Sequence, residues 1–85
     1  MKAFYLTAKF DLHLLCEILL LLNKKEHILL RAIEGVSVTS LSRADYTDLS
    51  TREDAELLFL IEADTAMDAV AILSSIRREL AEGDE

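Results

Sequence analysis

Apolar and more polar residues alternate over the first ten positions of the chain. One face of an extended segment would carry Phe4, Leu6, Ala8 and Phe10, and the other would carry Tyr5, Thr7 and Lys9. A period of two is typical of a half-buried strand. The pattern therefore predicts a first strand over Ala3–Phe10.

A long stretch without a helix breaker comes next. Asp11 is a favourable N-cap residue, and Leu12–Glu34 is rich in residues that favour helix. Gly35 stands where helices commonly end, so we predict a helix over Leu12–Glu34, either continuous or broken in two at Asn23–Glu26. Its run Ile18–Leu22 is apolar all round, which indicates cover on more than one side; we expect the sheet on one side and another subunit on the other.

The middle of the chain predicts two further strands separated by a polar loop. Val36–Ser42 alternates and is predicted as the second strand, and Arg43–Asp54 is predicted as the loop, which is long enough to suggest a lid or a solvated connection. Ala55–Ala63 is apolar on both faces and predicts a third, fully covered strand. A helix over residues 50–63 stays open as an alternative, because Ser50 and Glu53 have capping-box spacing.

The last element is an amphipathic helix. Thr65 and Asp68 have capping-box spacing, and the apolar residues that follow keep helical periodicity: Ala66, Ala69, Val70, Leu73, Ile76 and Leu80. An acidic tail at about residues 82–85 is expected to be disordered.

The predicted order is β-α-β-β-α in a single domain over residues 1–85. This is the α+β class, as an open ferredoxin-like plait with two helices on one face of an antiparallel sheet. The plait's usual fourth strand is not predicted, which leaves a strand edge that could recruit further copies. The bare face, with Tyr5, Thr7, Lys9 and the outward residues of the third strand, is too apolar for water, so we expect the chain to dimerise through its sheet.

Composition supports self-association and argues against several partners. The chain has 85 residues, 52% of them hydrophobic, which is more apolar surface than a small core hides easily. The net charge of −7 divides into +2 over residues 1–43 and −9 over residues 44–85, and the lack of a basic cluster argues against nucleic acid. The apolar stretch Leu12–Leu22 is too short to span a membrane, so no membrane partner is expected.

Cysteine and histidine content limits the chemistry that is available. The single cysteine, Cys16, cannot form a disulfide framework, fits a reducing, cytoplasmic compartment, and is expected to be a buried structural residue. His13 and His27 are too far apart on one helix to share a metal, so neither a metal nor another cofactor is expected. His27, between charged and apolar runs, is either a surface residue without a role or a general acid or base.

Two segments resemble the YCII-related family. They are Lys25–Ile33 followed by Gly35 and Val36, and Leu60–Asp64 followed by Ala69; the second is also similar to relatives such as muconolactone isomerase. The resemblance implies a dimeric α+β barrel, in which two sheets pack face to face. Of the family's active-site residues, the histidine corresponds to His27, and an acidic partner would be Asp45. Ser40–Ser42 replaces the small-residue step expected after the second strand.

These observations favour a self-associating regulatory or assembly module that forms a homodimer or larger oligomer. The alternative is a small dimeric enzyme or ligand-binding protein that uses His27, with Asp45, on a small organic molecule. A third, weaker hypothesis is a binding partner for a basic protein, based on the acidic second half. The enzyme hypothesis requires a cavity at His27, whereas the module hypothesis requires His27 to face water and the sheet face to be packed against another subunit.

Overall fold

A computed structural model describes residues 1–82 as an antiparallel four-stranded sheet with three helices. The strands are β1 (Lys2–Phe10), β2 (Ile28–Ile33), β3 (Val36–Ser37) and β4 (Ala55–Ala63). The helices are α1 (Leu15–Asn23), α2 (Arg43–Leu49) and α3 (Ala66–Glu82), with 3-10 turns at Leu12–Leu14 and Val38–Ser40. This confirms the predicted α+β class, and it is consistent with a ferredoxin-like fold.

β4 is one of the two interior strands in the order β1-β4-β2-β3. It pairs along its whole length with β1, from Lys2 opposite Ala63 to Phe10 opposite Ala55. Its other edge pairs with β2, which leaves β1 at the border of the described sheet. The strand predicted over Ala55–Ala63 is confirmed, and the helical alternative for residues 50–63 is wrong, because an apolar run between two strands satisfies its backbone hydrogen bonds through both edges.

The core lies between the sheet and the helices. The odd-numbered residues of β4 are buried there, and the ring of Phe59 meets that of Phe10 edge to face, with centroids 5.7 Å apart. Helix α3 supplies Ala69, Leu73 and Ile76 to this core. Among residues 1–82, no polar or charged side chain is buried. The apolar side chains of both layers therefore supply the cohesion of the fold.

The predicted helix over Leu12–Glu34 is right for its first half and wrong for its second. Asp11 caps the first turn, where its side chain accepts from the backbone N–H of His13. The helix then ends at Asn23, which confirms the predicted alternative of a break, but Ile28–Ile33 is a strand rather than a second helical piece. The strand conformation is favoured over helix because it pairs with the second edge of β4, whose backbone groups would otherwise lack hydrogen-bond partners.

Gly35 belongs to a hairpin and does not follow a helix. Glu34 and Gly35 have φ values of 50° and 79°, which two-residue hairpins of the I′ type require at both positions. They join β2 to β3, so the strand predicted over Val36–Ser42 is wrong beyond Ser37, where a 3-10 turn follows.

The predicted polar loop Arg43–Asp54 contains α2. Ser42 and Asp45 form a complete capping box, in which the Ser42 hydroxyl accepts from the Asp45 backbone and the Asp45 carboxylate accepts from the Ser42 backbone. Tyr46 and Leu49 pack partly against the core. A short helix forms here because its first turn is capped and two apolar side chains attach it to the domain.

The last helix is confirmed as predicted. The Thr65 hydroxyl accepts from the backbone N–H of Asp68, and α3 continues to Glu82. Glu82 is the last residue of α3, and the other residues of the acidic tail predicted at about 82–85 lie outside the described part of the chain. Among residues 1–82, no helix is long and apolar enough to cross a membrane.

Candidate functional site

The face of the sheet that points away from the helices carries apolar side chains on three adjacent strands. Tyr5 of β1 lies opposite Leu60 of β4, and Leu60 lies opposite Leu29 of β2. Tyr5 is 62% exposed and Leu29 is 57% exposed. This row crosses the sheet from β1 to β2 without a charged side chain.

A second row runs beside the first. Thr7 lies opposite Leu58, and Leu58 lies opposite Ala32. Leu58 and Ala32 are partly buried by their neighbours in the sheet, and Thr7 is exposed. We call the surface formed by these two rows the open face: Tyr5, Leu29, Leu60, Thr7, Ala32 and Leu58.

Within one copy of residues 1–82, strand β4 is covered on one face only, and the expected cover of its other face by a second subunit stays a prediction. Phe59 and Ile61 have no exposed surface, whereas Leu58 and Leu60 are partly exposed on the open face. The three helices supply cover to one side of the sheet, and the described residues supply none to the other. The apolar character of Leu58 and Leu60 consequently has no structural explanation within one copy of residues 1–82.

Charged side chains border the open face at its two ends. At one end, Lys9 lies opposite Glu56 and has Asp54 3.8 Å away. At the other end, Nδ1 of His27 lies 4.0 Å from Oε1 of Glu62, and the backbone N–H of Glu62 donates to the His27 carbonyl. Positive and negative groups are mixed at each end, and the apolar rows lie between them.

His27 lies at this border and not on a helix. It immediately precedes β2, and its side chain is 48% exposed. A carboxylate is near it, as the enzyme hypothesis requires, but the carboxylate belongs to Glu62. Four grooves on the surface of residues 1–82 are lined by other residues and not by His27.

Asp45 lies near the opposite end of β2. It borders a groove that also includes Ile33, the last residue of that strand. Because a strand rises about 3.3 Å per residue, β2 spans roughly 16 Å from Ile28 to Ile33, with His27 before its first residue and Asp45 near its last. The two sequence-predicted site residues therefore do not meet within one copy of the chain.

The carboxylate of Asp45 already has a structural role in the capping box. The Ser42 backbone N–H donates to it over 2.9 Å, and this hydrogen bond lowers the pKa of Asp45. An ionised carboxylate in the first turn also interacts favourably with the positive end of the helix. These contacts account for Asp45 without a catalytic function.

Sequence reasoning placed Tyr5 and Thr7 on the open face but missed the contribution of β2. Leu29 was assigned to a helix, and its exposure on the sheet was not foreseen. The sequence offered no period of two here, because Ile28, Leu29 and Leu30 are all apolar and the strand has a bulge at Arg31.

Within residues 1–82, no group of three or more His, Cys, Asp or Glu side chains is arranged to hold a metal ion. Comparison of the chain with protein-family models, curated proteins and solved structures finds no match. The geometry of the open face is therefore the basis of the functional assignment.

Proposed function

We propose that this protein is a self-associating regulatory or assembly module, whose open face packs against the open face of a second copy. One observation carries the proposal: apolar side chains on three adjacent strands form continuous rows that no described residue covers. Exposed apolar patches with polar borders commonly mark interaction sites.

A second copy is the occupant that fits this surface best. The open face is a flat sheet face, and two such faces pack about 10 Å apart with their side chains interdigitating. A two-fold axis would bring the open face of one copy against the same face of its partner, which is the usual geometry of homodimers. Two open ferredoxin-like plaits would then form one closed, two-sheet core.

The size of the open face suggests a dimer that dissociates on dilution. The whole side of the sheet that carries the open face, with its charged ends, measures roughly 30 Å by roughly 14 Å over β1, β4 and β2, or roughly 400 Å², to which protruding side chains add accessible area. Each partner in a standard interface buries about 800 Å². We therefore expect an interface at the lower end of the range.

Electrostatic repulsion does not oppose this arrangement, although the chain has a net charge of −7. The six open-face residues are uncharged, exposed Arg31 lies at the bulge of β2 next to Ala32, and Lys9 lies among the carboxylates at one end of the open face. Five of the sixteen acidic residues of the sequence belong to α2 and α3, on the other side of the sheet. Charges separated by more than about 8 Å are largely screened at physiological salt.

The test is the mass in solution of three proteins over a wide dilution range, measured by light scattering after size exclusion. The unchanged chain is expected to rise from the 9.6 kDa of one copy toward twice that mass at high concentration. Leu60→Lys places a charge at the centre of the open face and is expected to stay monomeric. Leu20→Lys makes the same change on the helix side, where Leu20 is 63% exposed, and is expected to dimerise like the unchanged chain.

Two outcomes would contradict the proposal. One is an unchanged chain that stays monomeric at millimolar concentration. The other is loss of the dimer in Leu20→Lys but not in Leu60→Lys, which would assign association to the exposed side of α1. Circular dichroism and urea unfolding check that each variant is folded. If Leu60→Lys does not fold, Tyr5→Lys places the charge on the open face instead, on strand β1 at the border of the sheet.

A further inference from the structure

A groove of about 460 Å³ lies between the first helical segment and α2. Its floor is apolar and includes Leu12 and Leu15, which are core residues. The groove is therefore on the helix side of the sheet and separate from the open face. Its volume falls in the lower part of the range for small-molecule sites, about 300–1,000 Å³.

Helix α2 distributes its side chains between two grooves according to their charge. Arg43, Tyr46, Thr47 and Ser50 recur at helical spacing and line the groove toward α1. The carboxylates Asp45 and Asp48 line the other groove, toward Ile33 and Arg52. The groove toward α1 thus has a cationic border in a protein whose net charge is −7.

The Arg43 guanidinium is available to a ligand. In the part of the chain that the structure describes, Arg43 forms no salt bridge, whereas Lys9, Lys25 and Arg52 each have a carboxylate partner. The nearest acidic residue along α2, Asp45, is held by the Ser42 backbone. Guanidinium groups recognise carboxylates through paired, charge-assisted hydrogen bonds.

His13 lines the same groove and is held in position by Asp11. Nδ1 of His13 lies 2.8 Å from Oδ1 of Asp11, and the same oxygen accepts the backbone N–H of His13, which lowers the pKa of Asp11. An ionised carboxylate can only accept, so the proton of a neutral His13 is on Nδ1, and Nε2 is left for another partner. The groove therefore offers a second oriented polar group beside Arg43.

From this groove we infer a binding site for a small amphipathic carboxylate, whose apolar body lies on Leu12 and Leu15 and whose carboxylate pairs with Arg43. Tyr46 and Ser50 also line the groove, and the Ser50 hydroxyl donates to the Thr47 carbonyl over 2.7 Å. A convergent set of a few polar groups around an apolar floor is the usual composition of a small-molecule site.

Cys16 provides a local reporter of occupancy. It is the single cysteine of the sequence, it lines the groove, and it is exposed, which corrects the expectation of a buried residue. Leu15 and Ile18 take the core-facing positions of α1, so Cys16 points outward. A bound ligand is expected to slow the reaction of this thiol with a maleimide.

The experiment titrates the full chain with hexanoate, and with 1-hexanol as the neutral probe of similar length. Amide resonances of residues 12–19 and 43–50 report binding by NMR, and the maleimide reaction rate reports shielding of Cys16. We expect hexanoate to bind at least about tenfold more tightly than 1-hexanol, because a charge-assisted hydrogen bond contributes a factor of that size. Arg43→Gln should remove this preference, whereas Arg78→Gln, which removes the same charge from an exposed position on α3, should retain it.

The inference is overturned if hexanoate shifts neither set of resonances, if its shifts map to another surface, or if Arg43→Gln binds hexanoate as tightly as Arg78→Gln does. These outcomes leave the dimer proposal untouched, since none of the open-face residues lines the groove. Binding by the Leu60→Lys variant would further show that the two surfaces act independently.

Discussion

The two faces of strand β4 carry similar side chains in different surroundings. Toward the helices, Leu57, Phe59 and Ile61 have no exposed surface. On the open face, Leu58 and Leu60 have equally apolar side chains without a covering layer. Hydrophobic side chains on both faces of a strand predict that two layers cover it. The contrast teaches that this pattern does not say whether one copy of the chain supplies both layers.

The largest effect that separates the two faces is expected from Phe59→Ala compared with Leu60→Ala. Removing the Phe59 ring leaves a cavity among core residues and breaks the edge-to-face contact with Phe10, which should cost about 3–5 kcal/mol of unfolding free energy. For Leu60→Ala in the monomer, we expect a cost below about 1 kcal/mol, because less surface is removed from water on folding.

Urea unfolding at concentrations where the protein is monomeric measures both costs. Repeating the measurement at high concentration sharpens the comparison, since dimerisation stabilises a protein by mass action. Under those conditions Leu60→Ala should become relatively more destabilising and Phe59→Ala should change less. Equal costs for the two variants in the monomer would mean that the open face is covered within one chain.

The next largest loss of stability is expected from replacing Arg77 of α3. Its side chain lies over the end of β1, at the border of the covered face. Its guanidinium carbon lies 4.3 Å from the centre of the Phe10 ring, and its N–H group donates to the carbonyl oxygen of Lys9. Arg77→Met keeps an unbranched apolar chain and removes both interactions, so we expect a loss of about 1 kcal/mol.

Arg78→Met is the matched control for this variant. Arg78 adjoins Arg77 on α3 and is exposed, so its replacement removes the same charge without a contact to β1. Thermal or urea unfolding should show a larger loss for Arg77→Met than for Arg78→Met. Equal losses would attribute the effect to net charge rather than to the attachment of α3 to the strand.

The two faces also explain which parts of the fold the sequence could predict. Ala55–Ala63 and the last helix were predicted correctly because their patterns are long and uninterrupted. Ile28–Ile33 was missed because it is short and because Ile28, Leu29 and Leu30 are all apolar, so they show no period of two; only the second edge of β4, which needs a pairing strand, decides in favour of a strand. Helix α2 was missed because two partly buried side chains, Tyr46 and Leu49, make a weak periodic signal.

The candidate sites were less accessible to sequence reasoning than the fold. The open face could be anticipated from Tyr5 and Thr7, since alternation assigns side chains to faces. The groove could not be anticipated, because His13 and Arg43 are thirty positions apart in the sequence. They line one groove only because α2 lies beside the first helical segment in the fold. The separation of His27 from Asp45 likewise depends on β2, which was not predicted.

The smallest expected effect is the contribution of Asp45 to stability in acid. The Ser42 backbone N–H holds the pKa of Asp45 below its usual value of 3.8. A lowered pKa in the folded state means that the stabilisation is present above the unfolded value and is lost as the pH falls through the folded value. Asp45→Asn removes the titrating group with little change in shape, so the stability difference between the unchanged chain and this variant should be greatest near neutral pH and should shrink below about pH 4.

Urea unfolding of both proteins between pH 2 and 7 tests this dependence, and subtracting the two curves cancels the titration of groups they share, including Asp11. Asp48→Asn is the control for the loss of one negative charge from the same helix. A difference between the unchanged chain and Asp45→Asn that stays constant down to pH 2 would show that the Ser42 contact does not select the ionised carboxylate. In that case the capping box would stabilise α2 through the geometry of its hydrogen bonds and not through the charge of Asp45. Its contribution to the stability of this helix would then be the same in acid as at neutral pH.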